Sequence, residues 1–101
     1  MAAIIKGTTP TIIYTFNEIS VANIVTAVLT IKRGTNIIIE KTLAASTVGE
    51  NSLSWKLSQE ESLSVSGNAE MMLNWVLVDG TRGASKATAV TFAPNHKEEV
   101  I

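Results

Sequence analysis

Cysteine is absent from the 101 residues, which removes disulfide cross-links, thiolate metal sites and cysteine nucleophiles together. Histidine occurs once, as His96, so no second imidazole exists to complete a zinc site or an acid–base relay. Charge is scarce as well: 17% of residues are Asp, Glu, Lys or Arg, against about 25% in ordinary soluble domains. With a formal net charge of −1 there is no basic stripe to neutralise phosphates, which argues against nucleic acid as a partner. No apolar run approaches the roughly 18 residues that a spanning helix needs. The segment Met1–Gly7 has neither a basic n-region nor a long apolar core, so the chain is expected to be soluble, without a membrane partner and without a classical export signal.

What the chain does have is apolar material, 46% of its residues, enough for one domain that buries roughly two thirds of its unfolded surface. The longest apolar run is Glu70–Asp79. Read as a strand, it puts Met71, Leu73, Trp75 and Leu77 on one face and Met72, Val76 and Val78, around Asn74, on the other, because successive strand side chains point to opposite sides. Earlier in the chain, Thr11–Phe16 alternates with Ile12, Tyr14 and Phe16 inward. Ile24–Lys32 alternates with Val25, Ala27, Leu29 and Ile31 on one side and Ile24, Thr26, Val28, Thr30 and Lys32 on the other. Turn residues Arg33–Asn36 lead into Ile37–Leu43, which predicts a hairpin. Leu53, Trp55 and Leu57 alternate with Ser52, Ser54 and Lys56, a half-buried strand.

Ser58 and Glu61 have capping-box spacing, which predicts one short helical turn ended by Gly67-Asn68. Asp79-Gly80 signals a second hairpin, with Ala84–Ala93 as the return strand. Pro94 stops that strand and leaves residues 94–101 as a charged tail after a domain spanning 1–93. Turns recur every ~8 to 12 residues, the rhythm of an all-β sandwich or barrel.

The polar residues reduce to ordinary structural roles. Glu60 and Glu61 are adjacent and point to different sides of a helical turn, and capping accounts for Glu61. Asp79 occupies a turn position that favours Asp, and His96 belongs to a solvated tail. No Gly-x-Ser-x-Gly elbow, phosphate loop or calcium loop is present. The expectation is therefore a protein with no catalytic, cofactor-binding or metal-binding residues. Trp55 and Trp75 offer a carbohydrate-stacking platform as one alternative, but each alternates onto the same face as leucines and is expected in the core. The second-face residues Ile24, Val28, Ile38, Met72, Val76 and Val78 exceed what a solvated sheet face carries. Either a partner covers this face, or the capped turn and loops shield it.

Four stretches carry a resemblance: Ile5–Thr11, the Ile24–Lys41 hairpin, Leu57–Leu63 after a strand, and Asp79-Gly80-Thr81 with Ala84-Ser85 beyond. Their order resembles small tail-associated proteins of phages and prophages of Gram-positive bacteria, and more distantly the N-terminal β domain of siphophage baseplate upper proteins. The resemblance implies an immunoglobulin-like antiparallel sandwich of about seven short strands with one short helical turn. It further implies a virion protein, made in the host cytoplasm, that docks on other virion proteins as an adaptor, connector or decoration subunit. A homo-oligomer or several copies around a symmetry axis would be expected. The baseplate family continues into a helical stalk and further domains, so its receptor binding does not carry over. The alternative functions are a carbohydrate- or cell-wall-binding module, or a head decoration or fibre-attachment protein.

Overall fold

The computed structural model describes residues 2–101. The chain is all-β, as the strand periodicities predict, with two sheets enclosing one core. The larger sheet holds β1 (Ala2–Ile5), β3 (Ile24–Arg33), β4 (Asn36–Thr42), β7 (Gly67–Leu77), β8 (Arg82–Ala84) and β9 (Thr88–Ala93). Its order is β1-β9-β7-β3-β4, with β8 also paired to β7. The smaller sheet has the order β2-β6-β5, from β2 (Thr11–Thr15), β6 (Ser52–Lys56) and β5 (Thr47–Val48). The capped helical turn α1 (Gln59–Leu63) follows β6, and two 3-10 turns, Val21–Asn23 before β3 and Leu43–Ala45 after β4, add to the one helical turn expected.

The strand total corrects the expectation of about seven, and the pairing is not purely antiparallel: β1 runs parallel to β9, with Ile4 opposite Phe92. Four residues of Ala-Ala-Ile-Ile carry no alternation by which to recognise a strand; the β9 edge supplies the partner that orders them. The return strand expected over Ala84–Ala93 is shortened to Thr88–Ala93, and β8 forms at Arg82–Ala84, in and just after the stretch expected to widen the turn. β8 and β9 both pair with β7, and between them Ser85 replaces the ladder, its backbone N–H donating to Leu73 O (2.8 Å) and its Oγ accepting from Leu73 N (2.9 Å).

The core is the contact between the inward faces of the two sheets. Ala27, Leu29 and Ile31 of β3, Ile39 of β4, Ala69 and Leu73 of β7, and Val90 and Phe92 of β9 meet Ile12 of β2 and Leu53 and Trp55 of β6. Met71, Trp75 and Leu77 pack against this cluster while remaining partly exposed, so the β7 face expected inward does lie inward. Trp55 Nε1 donates to Thr42 O at 2.9 Å, satisfying the one polar atom that this large side chain would otherwise bury unpaired. Phe16 meets Trp75 edge-on with ring centroids 5.2 Å apart. A Cβ added to Gly83 would fall 2.6 Å from Trp75 Cε2 and Nε1, so this glycine is what lets the indole lie against β8.

The capping box forms: Ser58 Oγ accepts from Glu61 N (3.1 Å) and Glu61 Oε1 accepts from Ser58 N (2.8 Å). Glu61 also pairs with Lys41 Nζ at 2.9 Å, tying α1 to β4. The helix then uses a residue of poor helix propensity. Ser62 is fully buried, accepts from Gly7 N (2.9 Å) and donates to Thr8 O (2.7 Å), which pins the crossover from β1 to β2. Gly7 has φ +87°, a left-handed conformation that glycine adopts without a Cβ penalty. The tail lies against the domain, with Asn95 Nδ2 donating to Lys6 O (2.8 Å), Lys6 paired with Glu98 (3.1 Å), and the Gln59 amide bonded to both N and O of Ile101.

Two buried hydroxyls make opposite contributions. Ser62 Oγ is satisfied, whereas Tyr14 OH is buried without a hydrogen-bond partner among the described residues. Burial raises the Tyr14 pKa, and the nearby Ser85 hydroxyl offsets this only in part. Ser62→Ala is therefore expected to lower the unfolding free energy by about 1–3 kcal/mol, and Tyr14→Phe to leave it unchanged or raise it by up to about 1 kcal/mol. Urea titration of the two variants distinguishes them, and equal losses would contradict the assignment.

Partial burial pulls the Glu61 carboxyl upward, but the Ser58 amide and the Lys41 ammonium outweigh it and hold the pKa below the ordinary value of 4.5. A depressed folded-state pKa contributes stability above the unfolded value that is lost as pH falls through the folded one. Stability is thus expected to decline as pH drops below 4.5. Glu61→Gln, which keeps the capping acceptor but not the charge, should flatten that decline in denaturant melts recorded across the acid range.

Candidate functional site

The outer face of the larger sheet is built from the residues that alternate with the core. On β3 these are Thr26, Val28, Thr30 and Lys32. Each lies opposite a β7 residue: Val76, Asn74, Met72 and Glu70 respectively. β4 adds Ile37 opposite Lys32 and Glu40 opposite Thr30, and β8 adds Arg82 opposite Val76. Arg82 Nη2 donates to Asn74 Oδ1 at 3.1 Å across the strands. Two shallow open depressions lie on this face. One, of about 330 Å³, is lined by Thr26, Val28, Thr30, Glu40, Asn74, Trp75, Val76 and Arg82. The other, of about 300 Å³, has Lys32, Ile37, Glu70, Met72 and Ala87 around the same Thr30 and Asn74. The result is an apolar stripe of Val28, Met72 and Val76, all half-buried, bordered by threonines and by charges of both signs.

The six second-face residues expected to share this surface divide into three groups. Val28, Met72 and Val76 are brought together on it. Val78 lies beyond the end of β7 in the turn, 71% exposed, its N–H donating to Asn23 O (2.8 Å). The other two are corrections, and each has a β-bulge as its cause. The β3–β7 register shifts between Ile24 and Thr26, leaving Val25 as the extra residue. Ile24 consequently turns into the core at 6% exposure, and Val25 is exposed instead. A second shift places Ile31 opposite Ile39 but Lys32 opposite Ile37. Ile38 is the extra residue there, and it borders a groove with Glu60, Glu61 and Ser64 beside α1 rather than the outer face.

Sequence reasoning therefore missed Ile37, the more exposed of the two at 58%. A usable signal was present: the two-residue turn Gly34-Thr35 pairs Arg33 with Asn36 and hence Lys32 with Ile37. Counting back from the turn, rather than forward along three isoleucines, identifies the right side chain. The charged residues flanking the stripe were equally readable as period-2 neighbours but carried no apolar signal.

The remaining candidates keep structural roles. The Asp79 carboxylate accepts from Thr81 N at 2.9 Å, and this backbone hydrogen bond holds its pKa below the usual aspartate range. His96 is exposed in the tail. Among the described residues no group of three His, Cys, Asp or Glu side chains is placed to hold a metal ion, and no helix is long and apolar enough to cross a membrane. Trp55 is buried, and Trp75 packs against the core cluster, edge-on to Phe16, while part of it lines the first depression. No family model matches the chain, and neither a curated protein nor a solved structure matches it.

The two bulges set apart residues that composition treats alike. Ile24→Ala removes a buried side chain and is expected to cost about 2–5 kcal/mol, whereas Ile38→Ala should cost less than about 1 kcal/mol. Chemical denaturation of the pair checks this, and similar losses would mean that the bulge positions are wrong.

Proposed function

We propose that this chain is a structural interaction subunit with an immunoglobulin-like sandwich, acting in the virion of a phage or prophage of Gram-positive bacteria as an adaptor, connector or decoration subunit of the tail or baseplate. The observation that carries the interaction reading is the part-exposed stripe of Val28, Met72 and Val76 with Ile37 beside it, on a sheet face that an isolated sandwich normally keeps polar. The strand order supports the immunoglobulin-like reading. The arrangement β9-β7-β3-β4 against β2-β6-β5 corresponds to the G-F-C-C′ and B-E-D strands of a variable-type sandwich. The hallmark disulfide of antibody domains has no counterpart, since the chain lacks cysteine, and Trp55 and Leu73 help fill the core instead. The virion assignment rests on the sequence resemblance, which places proteins of this kind where many copies contact one another and their neighbours.

The carbohydrate-binding alternative drew on an exposed tryptophan platform; Trp55 is buried and Trp75 packs against the core cluster, which favours the docking reading. A docking role needs an extended, partly apolar surface and no reactive group, and the stripe on the outer face supports that reading.

Val76→Glu puts a charge in the middle of the stripe. Purified domain carrying it is expected to keep its fold, with a Tm change of no more than about 4 °C, which for a domain this size is about 0.5 kcal/mol. It should lose retention on isolated phage tails that hold the unaltered domain, as measured by co-sedimentation. Undiminished retention, or unfolding of the isolated variant, would remove the outer face as the docking surface.

A further inference from the structure

Lys32 and Glu70 stand directly opposite each other, one on each side of the seam between β3 and β7. The ion pairs closed among the described residues are Lys6–Glu98, Lys41–Glu61 and Lys97–Glu99, so Lys32 and Glu70 face each other across the seam without closing into one. Following the seam, the next outward pairs are Thr30 with Met72, Val28 with Asn74, and Thr26 with Val76. In two of these a β-branched polar residue on β3 faces a larger apolar residue on β7, and in the charged pair a cation faces an anion.

That asymmetry across the seam is what makes the face complementary to itself. A two-fold axis lying along the seam, with a second copy laid face to face, exchanges β3 with β7. Lys32 of each copy then faces Glu70 of the other, so two opposite-charge contacts form about one axis. Met72 of each copy faces Thr30 of the other, and Val76 faces Thr26. Thr30 and Asn74 line both depressions on this face, so the incoming Met72 meets a hollow rather than a ridge. Because the axis bisects the crossing angle of about 30° between aligned packed sheets, the exchange survives the twist of both sheets. The long Lys and Glu side chains also span the sideways offset that the crossing introduces. A two-fold contact of this kind uses one patch on both partners and closes without leaving an open end.

We infer that the outer face of the larger sheet binds a second copy of this chain about a two-fold axis along the β3–β7 seam, with Lys32 and Glu70 as the reciprocal charge pair and Met72 seated over Thr30. The inference rests on the reading of this face as an interaction surface and names its partner. An alternative self-association through the free edge of β4 is opposed by its own charges, since antiparallel pairing of two copies centred on Glu40 sets the two Glu40 carboxylates opposite each other.

The test is sedimentation velocity on the full chain over a dilution series reaching roughly 1 mM, the weak end of specific association. The unaltered chain is expected to dimerise. Lys32→Glu and Glu70→Lys each place like charges across the axis twice, and each should weaken dimerisation at least about tenfold. Combining them restores opposite charges at both contacts and should return the dissociation constant to within about threefold of the original. Should a reversal lower the melting temperature, Lys32→Gln and Glu70→Gln serve in its place, each weakening the dimer. A chain that stays monomeric throughout, a dimer indifferent to either single reversal, or a double variant as weak as the singles overturns the inference. A monomer still retained on phage tails, with retention lost in Val76→Glu, overturns the self-pairing alone and leaves the docking role standing. A dimer that obeys the charge exchange but is not retained on tails does the reverse.

Discussion

Everything in this molecule depends on the apolar contact between two inward sheet faces, centred where Leu73 and Leu29 of the larger sheet meet Leu53 and Trp55 of the smaller one. These side chains are fully or almost fully removed from water, and burial of this kind contributes roughly 1.5–3 kcal/mol for each large apolar residue. No cross-link assists it, since the chain has no cysteine. The three-stranded sheet is small for the area it must cover, and the helical turn, the segment around Val65 and the β1–β2 crossover close the remaining gaps.

Polar groups near the core are arranged to keep that contact intact. Trp55 donates to a β4 carbonyl, Ser62 bonds to both sides of the first crossover, and Ser85 takes over the ladder where β8 gives way to β9. Each closes a place where a bend in the chain would leave a backbone group unpaired, and unpaired buried groups cost more than a hydrogen bond returns. The Tyr14 hydroxyl is the exception. Its ring packs on the core cluster and meets Trp55 edge-on, so the aromatic surface justifies the residue while the oxygen has only the nearby Ser85 hydroxyl to offset its burial.

The same layer construction creates the candidate interface. A strand whose two faces are both apolar cannot bury both in a two-layer domain. β7 resolves this by burying its Leu73 face and leaving Met72 and Val76 half-covered among threonines and charges of both signs. The two bulges limit the size of the stripe by turning Ile24 inward and moving Ile38 to the β4 edge. Without the first of them Ile24 would join Val28, Met72 and Val76 on the outer face, adding to the aggregation hazard of a chain with sparse charge.

Period-2 alternation was enough to identify the all-β class and the inward faces of β2, β6 and β7, and the Ser-x-x-Glu spacing the capping box at Ser58, because each of these is a local rule linking residue spacing to backbone geometry. Met72, Val76 and Val28 were readable on the same basis. What tertiary structure alone decided was everything that depends on a partner strand. The β1 strand exists because β9 offers an edge, the division between β8 and β9 follows from how Ser85 bonds to Leu73, and Ile24, Val25, Ile37 and Ile38 face where the β3 registers put them. A bulge adds one residue to one strand and reverses the side on which its neighbours lie. Nothing in a run of consecutive β-branched residues marks which of them is the extra one; that choice is made by the hydrogen-bonding partner across the ladder.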